Sequence, residues 1–239
     1  MGLAWAVSGV AAPQTLTSSE TRVNLMELYT SEGCDSCPPA EAWLSGLTGD
    51  PRLWKELVPV AFHVDYWDYL GWRDRYDSPA YTARQQGIAG YAGNRTVYTP
   101  EFVLDGAEWR KWFDHSTLNL PAPAKVGVLS LNADGYRVRV HFTPGSSLAQ
   151  PIEAHVALLA FGVQTHVGAG ENMGAALVHD FLVLSYGHVV LKPGKQGYDG
   201  ELVLDSSNVK ARRYALAGWV SSQGNPEPLQ AVGGWISRL

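Results

Sequence analysis

The chain of 239 residues has two cysteines, and they stand three positions apart, at Cys34 and Cys37. So few cysteines exclude a small disulfide-stapled scaffold, and the chain must hold itself together by burial. Its 46% apolar and 17% charged residues suit that. A Cys-x-x-Cys pair has three ordinary uses: a redox dithiol, half of a metal site, or a structural staple. A staple closing so short a loop contributes only about 2 kcal/mol in the chain-entropy model. A four-cysteine metal site is impossible, since the chain has no further cysteine. A mixed site drawing on some of the seven histidines remains open, although none lies at adjacent ligand spacing. A redox dithiol fits the local context best. Val23–Tyr29 is an apolar run of the kind that makes a buried strand, and Ala40, Trp43, Leu44 and Leu47 recur at helical spacing after the pair. Cys34 is therefore expected near a helix N-terminus, where free N–H groups and the helix dipole favour a thiolate.

Two neighbours temper that expectation. Pro38 and Pro39 place the start of the regular helix at one of the prolines. Asp35 sets negative charge beside Cys34, which points to a moderate reducing potential. Further on, Thr99-Pro100 stands directly before the strand-like Phe102–Leu104 and the turn signal Asp105-Gly106. Proline is tolerated at the first position of a strand, and a cis Thr99–Pro100 bond is expected there. Strand, Cys-x-x-Cys, helix, then Thr-Pro and strand is a pattern that resembles the thioredoxin fold.

Three longer strings narrow the resemblance: Glu27–Ala40 (ELYTSEGCDSCPPA), His63–Trp72 (HVDYWDYLGW) and Thr99–Gly106 (TPEFVLDG). With Gly170-Glu-Asn-Met-Gly174 and His179-Asp180, they resemble a thioredoxin-like family of secreted bacterial proteins, the domain of unknown function numbered twelve twenty-three. The resemblance implies a thioredoxin-like domain joined to a β-rich domain and exported to the periplasm. It implies Cys34 as the exposed attacking thiolate and Cys37 as the buried resolving thiol. Thr99, Pro100 and Trp67 would then shape a groove for an extended substrate segment. Relative to ordinary thioredoxin, Tyr66 to Tyr91 reads as an insertion, and Glu108–Phe113 is the one candidate for the last helix.

Other residues admit two readings each. Glu27, a carboxylate in a mostly apolar strand, would relay a proton to Cys37 if buried, or face solvent at a sheet edge. His63 and Asp65 alternate on one face of a strand whose other positions are apolar, as a hydrogen-bonded pair or as partners of the cysteines in a metal site. Glu171, Asn172, His179 and Asp180 are expected to serve turns and loops, with a docking site as the alternative.

The domain plan is an export-signal remnant or disordered stretch over 1–20, a thioredoxin-like α/β domain over 21–120, a linker at 121–125 and an all-β sandwich-like domain over 126–239. The strand candidates of the last part are Val126–Leu131, Arg137–Phe142, Ile152–Phe161, Leu177–Leu184, Glu201–Leu204 and Tyr214–Val220, each set off by turn signals. A net charge of −5 argues against a nucleic-acid surface, and no apolar run is long enough for a transmembrane helix. The reading that results is a periplasmic or secreted thiol–disulfide oxidoreductase without an organic cofactor, exchanging with protein or peptide thiols and disulfides. The alternatives are a copper-binding or delivery module using Cys34, Cys37 and His63, and a non-catalytic interaction scaffold.

Overall fold

Two heptapeptides set the centre of the molecule. Asn24–Thr30 and Leu57–His63 are buried at every position, as strands covered on both faces must be. The computed structural model describes residues 13–114, 117–148 and 151–237. In chain order the first elements are β1 (Gln14–Thr17), β2 (Asn24–Thr30), α1 (Cys37–Gly46), β3 (Leu57–His63), α2 (Pro79–Tyr91), β4 (Glu101–Leu104) and β5 (Ala107–Glu108). There follow β6 (Gly127–Asp134), β7 (Arg137–Pro144), β8 (Ile152–Phe161), β9 (Val163–His166), β10 (Ala176–His179) and β11 (Leu182–Val190). The last are β12 (Lys192–Gly194), β13 (Gly197–Val203), β14 (Arg213–Ser222) and β15 (Pro228–Ile236). The described chain is mostly β-sheet, with two α-helices.

β2 and β3 run parallel from Asn24↔Leu57 to Thr30↔His63, with α1 as the crossover between them. β4 pairs antiparallel with β2. Side chains alternate across a strand, and the hydrogen bonds sort the two faces. Thr30 reaches Glu41 on α1, whereas Glu27, of opposite parity, reaches Arg84 on α2. The two helices therefore cover opposite faces of this sheet. Ser78 caps α2, its hydroxyl accepting from the Ala80 N–H, and Pro79 stands in the first turn.

The expected division at 121–125 does not separate two sheets. One eight-stranded sheet runs β15-β14-β8-β11-β3-β2-β4-β5, and its two halves meet where Leu182 pairs with Ala61. The seam is narrow: the Ala61 N–H donates to the Phe181 carbonyl at 2.9 Å. A five-stranded sheet, β1-β6-β7-β13-β12, adds Leu129, Leu131, Val138 and Phe142 to a core shared with Ile152, Val156, Leu216 and Val232 of the large sheet. A second core cluster joins Leu28, Phe62 and Phe102 to Phe161, Phe181 and Trp219, so burial crosses the expected boundary as well.

Residues 14–20 also depart from expectation. β1 pairs with β6 from Gln14↔Ala133 to Thr17↔Ser130, and Leu16 packs over Gly234, where an added Cβ would come within 2.7 Å. The part of the export or disorder reading that falls on residues 1–12 lies outside the described residues. Segment 121–125 is likewise paired, through a Thr21↔Lys125 bridge and an Arg22 N–H to Ala124 carbonyl bond of 2.8 Å. The buried side chain of Gln230 clasps this corner: its Oε1 accepts from the Val23 N–H, and its amide donates to the carbonyls of Ser19, Thr21 and Gly127.

The expected single strand Leu177–Leu184 is broken in two. Asp180 Oδ1 accepts from the Gly162 N–H and Phe181 takes a positive φ of 57°, which turns the chain out of β10 into β11. β9 and β10 form a separate two-stranded ribbon, and their connecting loop reaches back over the cysteines. Glu108–Phe113 yields only a short 3₁₀ turn, at Lys111–Asp114.

Candidate functional site

The chain leaves β2 at Thr30 and reaches Cys34 through a turn closed by Cys34 N–H to the Ser31 carbonyl at 3.2 Å. A second turn, Cys37 N–H to the Cys34 carbonyl at 3.2 Å, sets Cys37 as the first residue of α1, one position before the expected prolines. Proline costs nothing in this first turn, where N–H groups have no intrahelical partner. Cys34 and Cys37 form a disulfide with their Cα atoms 5.4 Å apart. Cys37 is buried as expected. Cys34 is not the exposed residue the resemblance implies: it is 1% exposed.

The cover comes from the β9–β10 loop. The Asn172 amide donates to the carbonyl oxygens of Glu32 (2.9 Å) and Cys34 (2.8 Å), and the Glu171 carboxylate accepts from the Asp35 N–H at 3.3 Å. Trp72 braces the loop, its ring 3.1 Å from where a Cβ on Gly168 would stand, and donates its indole N–H to Glu32 at 2.8 Å. Glu171 and Asn172 thus act at the cysteines rather than only within their own loop. Asp180 does serve a local turn.

A second wall is aromatic. Trp67 donates its indole N–H to the Thr99 hydroxyl at 2.7 Å, and its Cβ lies 3.1 Å from the position a side chain on Gly33 would occupy. Trp67 therefore spans from the turn before Cys34 to Thr99. The Thr99–Pro100 bond is cis, and both residues are buried. Tyr69 stacks on Trp67 and is 77% exposed, the outermost ring of the group.

Beneath the cysteine turn lies a buried cluster of charges. Glu41 follows Cys37 by four residues and so shares its face of α1. Its Oε2 pairs with His179 Nδ1 at 2.6 Å while Oε1 accepts from the Thr30 hydroxyl at 2.7 Å. His179 Nε2 meets Glu32 at 3.1 Å, and the Glu32 N–H donates to Asp74 at 2.9 Å. Asp74 in turn holds His63 Nδ1 at 2.6 Å. Burial disfavours charge on His179, but Glu41 and Glu32 outweigh it and raise its pKa to about 10. The same contest raises His63, through Asp74, and lowers Glu41 and Asp74. One ligand atom from each of Glu41, His63 and His179 lies within 4.8 Å of the others.

Three readings are corrected here. His63 pairs with Asp74, whereas Asp65 takes the Thr82 hydroxyl at 2.6 Å. The group with ligand geometry around His63 is Glu41 and His179, not the two sulfurs of the copper reading, which are bonded to each other. Glu27 is buried, but on the α2 face, away from α1. Arg84 grips it with Nε at 2.6 Å and Nη2 at 2.9 Å, and the Tyr29 hydroxyl adds a bond of 2.8 Å. Its carboxylate is thus taken up by Arg84 and Tyr29 rather than directed at Cys37. Glu32, Glu41 and Asp74 escaped the sequence reading. Glu41 carries a local signal, its i,i+4 spacing from Cys37, but its partner His179 lies 138 residues away.

The arrangement is that of a mostly β chain carrying a shielded Cys-x-x-Cys disulfide over a buried acid–imidazole cluster. The chain belongs to the family described as "Protein of unknown function (DUF1223)", which matches residues 25–220. Two solved structures are similar in fold. Protein AGR_C_4864 from Agrobacterium tumefaciens is 24% identical, with a TM-score of 0.56 over 91% of this chain and 97% of that one. HBP35 of Porphyromonas gingivalis is 13% identical, with a TM-score of 0.57 over 91% of this chain and 76% of that one. No curated protein matches.

Proposed function

We propose that this protein is a thioredoxin-like thiol–disulfide oxidoreductase, fused to a β-sandwich-like region and acting in the periplasm or outside the cell on protein or peptide thiols. The observation that carries the reading is the Cys34–Cys37 disulfide at the start of α1, directly after a central strand. Thr99-Pro100 entering β4, the neighbour of β2, and Trp67 bridging to that wall support it. The two sulfurs themselves take up or give the electron pair, so the exchange needs no organic cofactor.

In the oxidised state, a partner's thiolate attacks Cys34 Sγ. The Cys34–Cys37 bond breaks, a mixed disulfide forms, and Cys37 leaves as a thiolate that takes up a proton. The partner's second thiol, losing its proton, then attacks the mixed disulfide and frees Cys34, which is protonated in turn. Two electrons pass from the partner to the cysteine pair. The reverse sequence, begun by a Cys34 thiolate on a partner disulfide, reduces the partner.

The test is a Cys37→Ser variant made in a periplasm, with mixed disulfides to Cys34 isolated and identified, alongside catalysis of exchange in a model protein disulfide by the wild type. Trapped partners that vanish in Cys34→Ser/Cys37→Ser, together with catalysis, are expected. If neither partners nor catalysis appear, even after reduction and opening of the disulfide, the interaction-scaffold reading replaces this one.

A further inference from the structure

We propose that Glu41, His63 and His179 bind one divalent first-row transition ion of the zinc or iron(II) class, at a site separate from the two sulfurs. The three residues come from different elements, the middle of α1 and the ends of β3 and β10, and all are buried. Their ligand atoms lie within 4.8 Å of one another. A tetrahedral ion with bonds of about 2.0–2.1 Å needs ligand atoms roughly 3.3 Å apart, so adjustments within side-chain reach close the site.

The outer partners make this more than a buried ion-pair group. A metal-binding imidazole characteristically gives its other nitrogen to a carboxylate, and a ligating carboxylate is itself hydrogen-bonded. His63 has Nδ1 on Asp74, which leaves Nε2 for the ion. His179 has Nε2 on Glu32, and Glu41 has Oε1 on Thr30. Between the inward atoms of these two runs one bond, His179 Nδ1 to Glu41 Oε2 at 2.6 Å, and the ion would take its place. Thr30, Glu32 and Asp74 thus already hold each ligand from behind.

Charge points the same way. Glu32, Glu41 and Asp74 confront two imidazoles, an excess of carboxylates over rings that leaves room for the charge of one divalent ion on neutral rings. Two nitrogens and one carboxylate oxygen suit zinc or iron(II); soft copper(I) prefers sulfur. The site does not depend on the redox reading, since neither cysteine is a ligand.

The test uses the full chain, unfolded and refolded at about pH 8 with excess Zn²⁺ so that burial does not bar entry, then freed of loose ion by gel filtration. Wild type and Cys34→Ser/Cys37→Ser should each retain about one zinc per chain, and Glu41→Gln and His63→Gln should lose it. Should those variants fail to fold, X-ray absorption of zinc-loaded wild type decides, with two imidazole nitrogens and at least one oxygen expected around the ion. Cobalt(II) in its place should show visible bands without thiolate charge transfer. Wild type that retains less than about a tenth of an ion per chain, folded variants that still hold zinc, or a sulfur ligand would each overturn the proposal.

Discussion

Asn172 holds Cys34 by its carbonyl at 2.8 Å, across 138 residues of chain, and with the same amide holds Glu32 at 2.9 Å. The bond ties the β9–β10 loop to the turn that carries the disulfide. Removing the side chain should open it. The two hydrogen bonds contribute about 1–2 kcal/mol together, so Asn172→Ala should speed reduction of Cys34–Cys37 by a small dithiol by roughly 5- to 30-fold. Stopped-flow reduction measured against wild type checks this; equal rates would mean that the loop does not limit access.

Glu27 and Arg84 form a buried pair, and breaking it from one side strands the other charge. Glu27→Gln should cost about 3–5 kcal/mol in urea unfolding. Thiol exchange at Cys34, measured in the fraction still folded, should be unchanged. Slower exchange without loss of stability would restore Glu27 as a proton relay.

His155 makes stability fall on the acid side. Burial first, then the nearby charge of Arg84 and the His188 ring, pushes its pKa well below the ordinary 6.5. Its Nδ1 lies 2.7 Å from the Tyr186 hydroxyl, within hydrogen-bonding distance. Below about pH 6.5 the unfolded chain takes up a proton that the folded chain refuses, so this residue costs up to about 1.4 kcal/mol per pH unit. His155→Gln should flatten the stability profile between about pH 6.5 and 4.5 relative to wild type, by denaturant titration at each pH.

Asp105 acts in the opposite sense. Burial raises its pKa to about 6, against the hydrogen bond from the Leu25 N–H, and its Oδ2 has no partner. A carboxyl whose folded pKa lies above its unfolded value favours folding at low pH and loses that contribution as pH rises to about 6. Asp105→Asn keeps the acceptor and tolerates the positive φ of 48°. It should stabilise the protein by about 1–3 kcal/mol at neutral pH and by almost nothing near pH 4. A melting-temperature gain equal at both pH values would contradict this.

How much of this was legible depended on whether the deciding interaction was local. β2, β3 and α2 announce themselves through largely apolar strings or a Ser-Pro cap, and the cysteines through their spacing. β15 does not, because Gln230, Gly233 and Gly234 interrupt its apolar pattern. Those glycines make room for Trp54 and Leu16, packed from distant segments. The break between β10 and β11 was hidden for the converse reason: Leu177–Leu184 has apolar residues on both sides of Asp180, and only the bond to Gly162 reveals the turn. The cysteines' cover and the buried charges depend on Asn172 and His179, which no local pattern links to Cys34 or Glu41.

The clasp made by Gln230 has a consequence for how the chain is assembled in time. The amide that secures Ser19, Thr21, Val23 and Gly127 belongs to the last strand, 211 residues after Ser19. Until that strand has been synthesised and docked, these early backbone groups lack their native partner, and the edge of β3 waits for β11. Contacts of such sequence separation slow folding. A nascent chain halted near residue 120 would therefore present an open sheet edge rather than a finished module, and this fold closes only once β15 has been made.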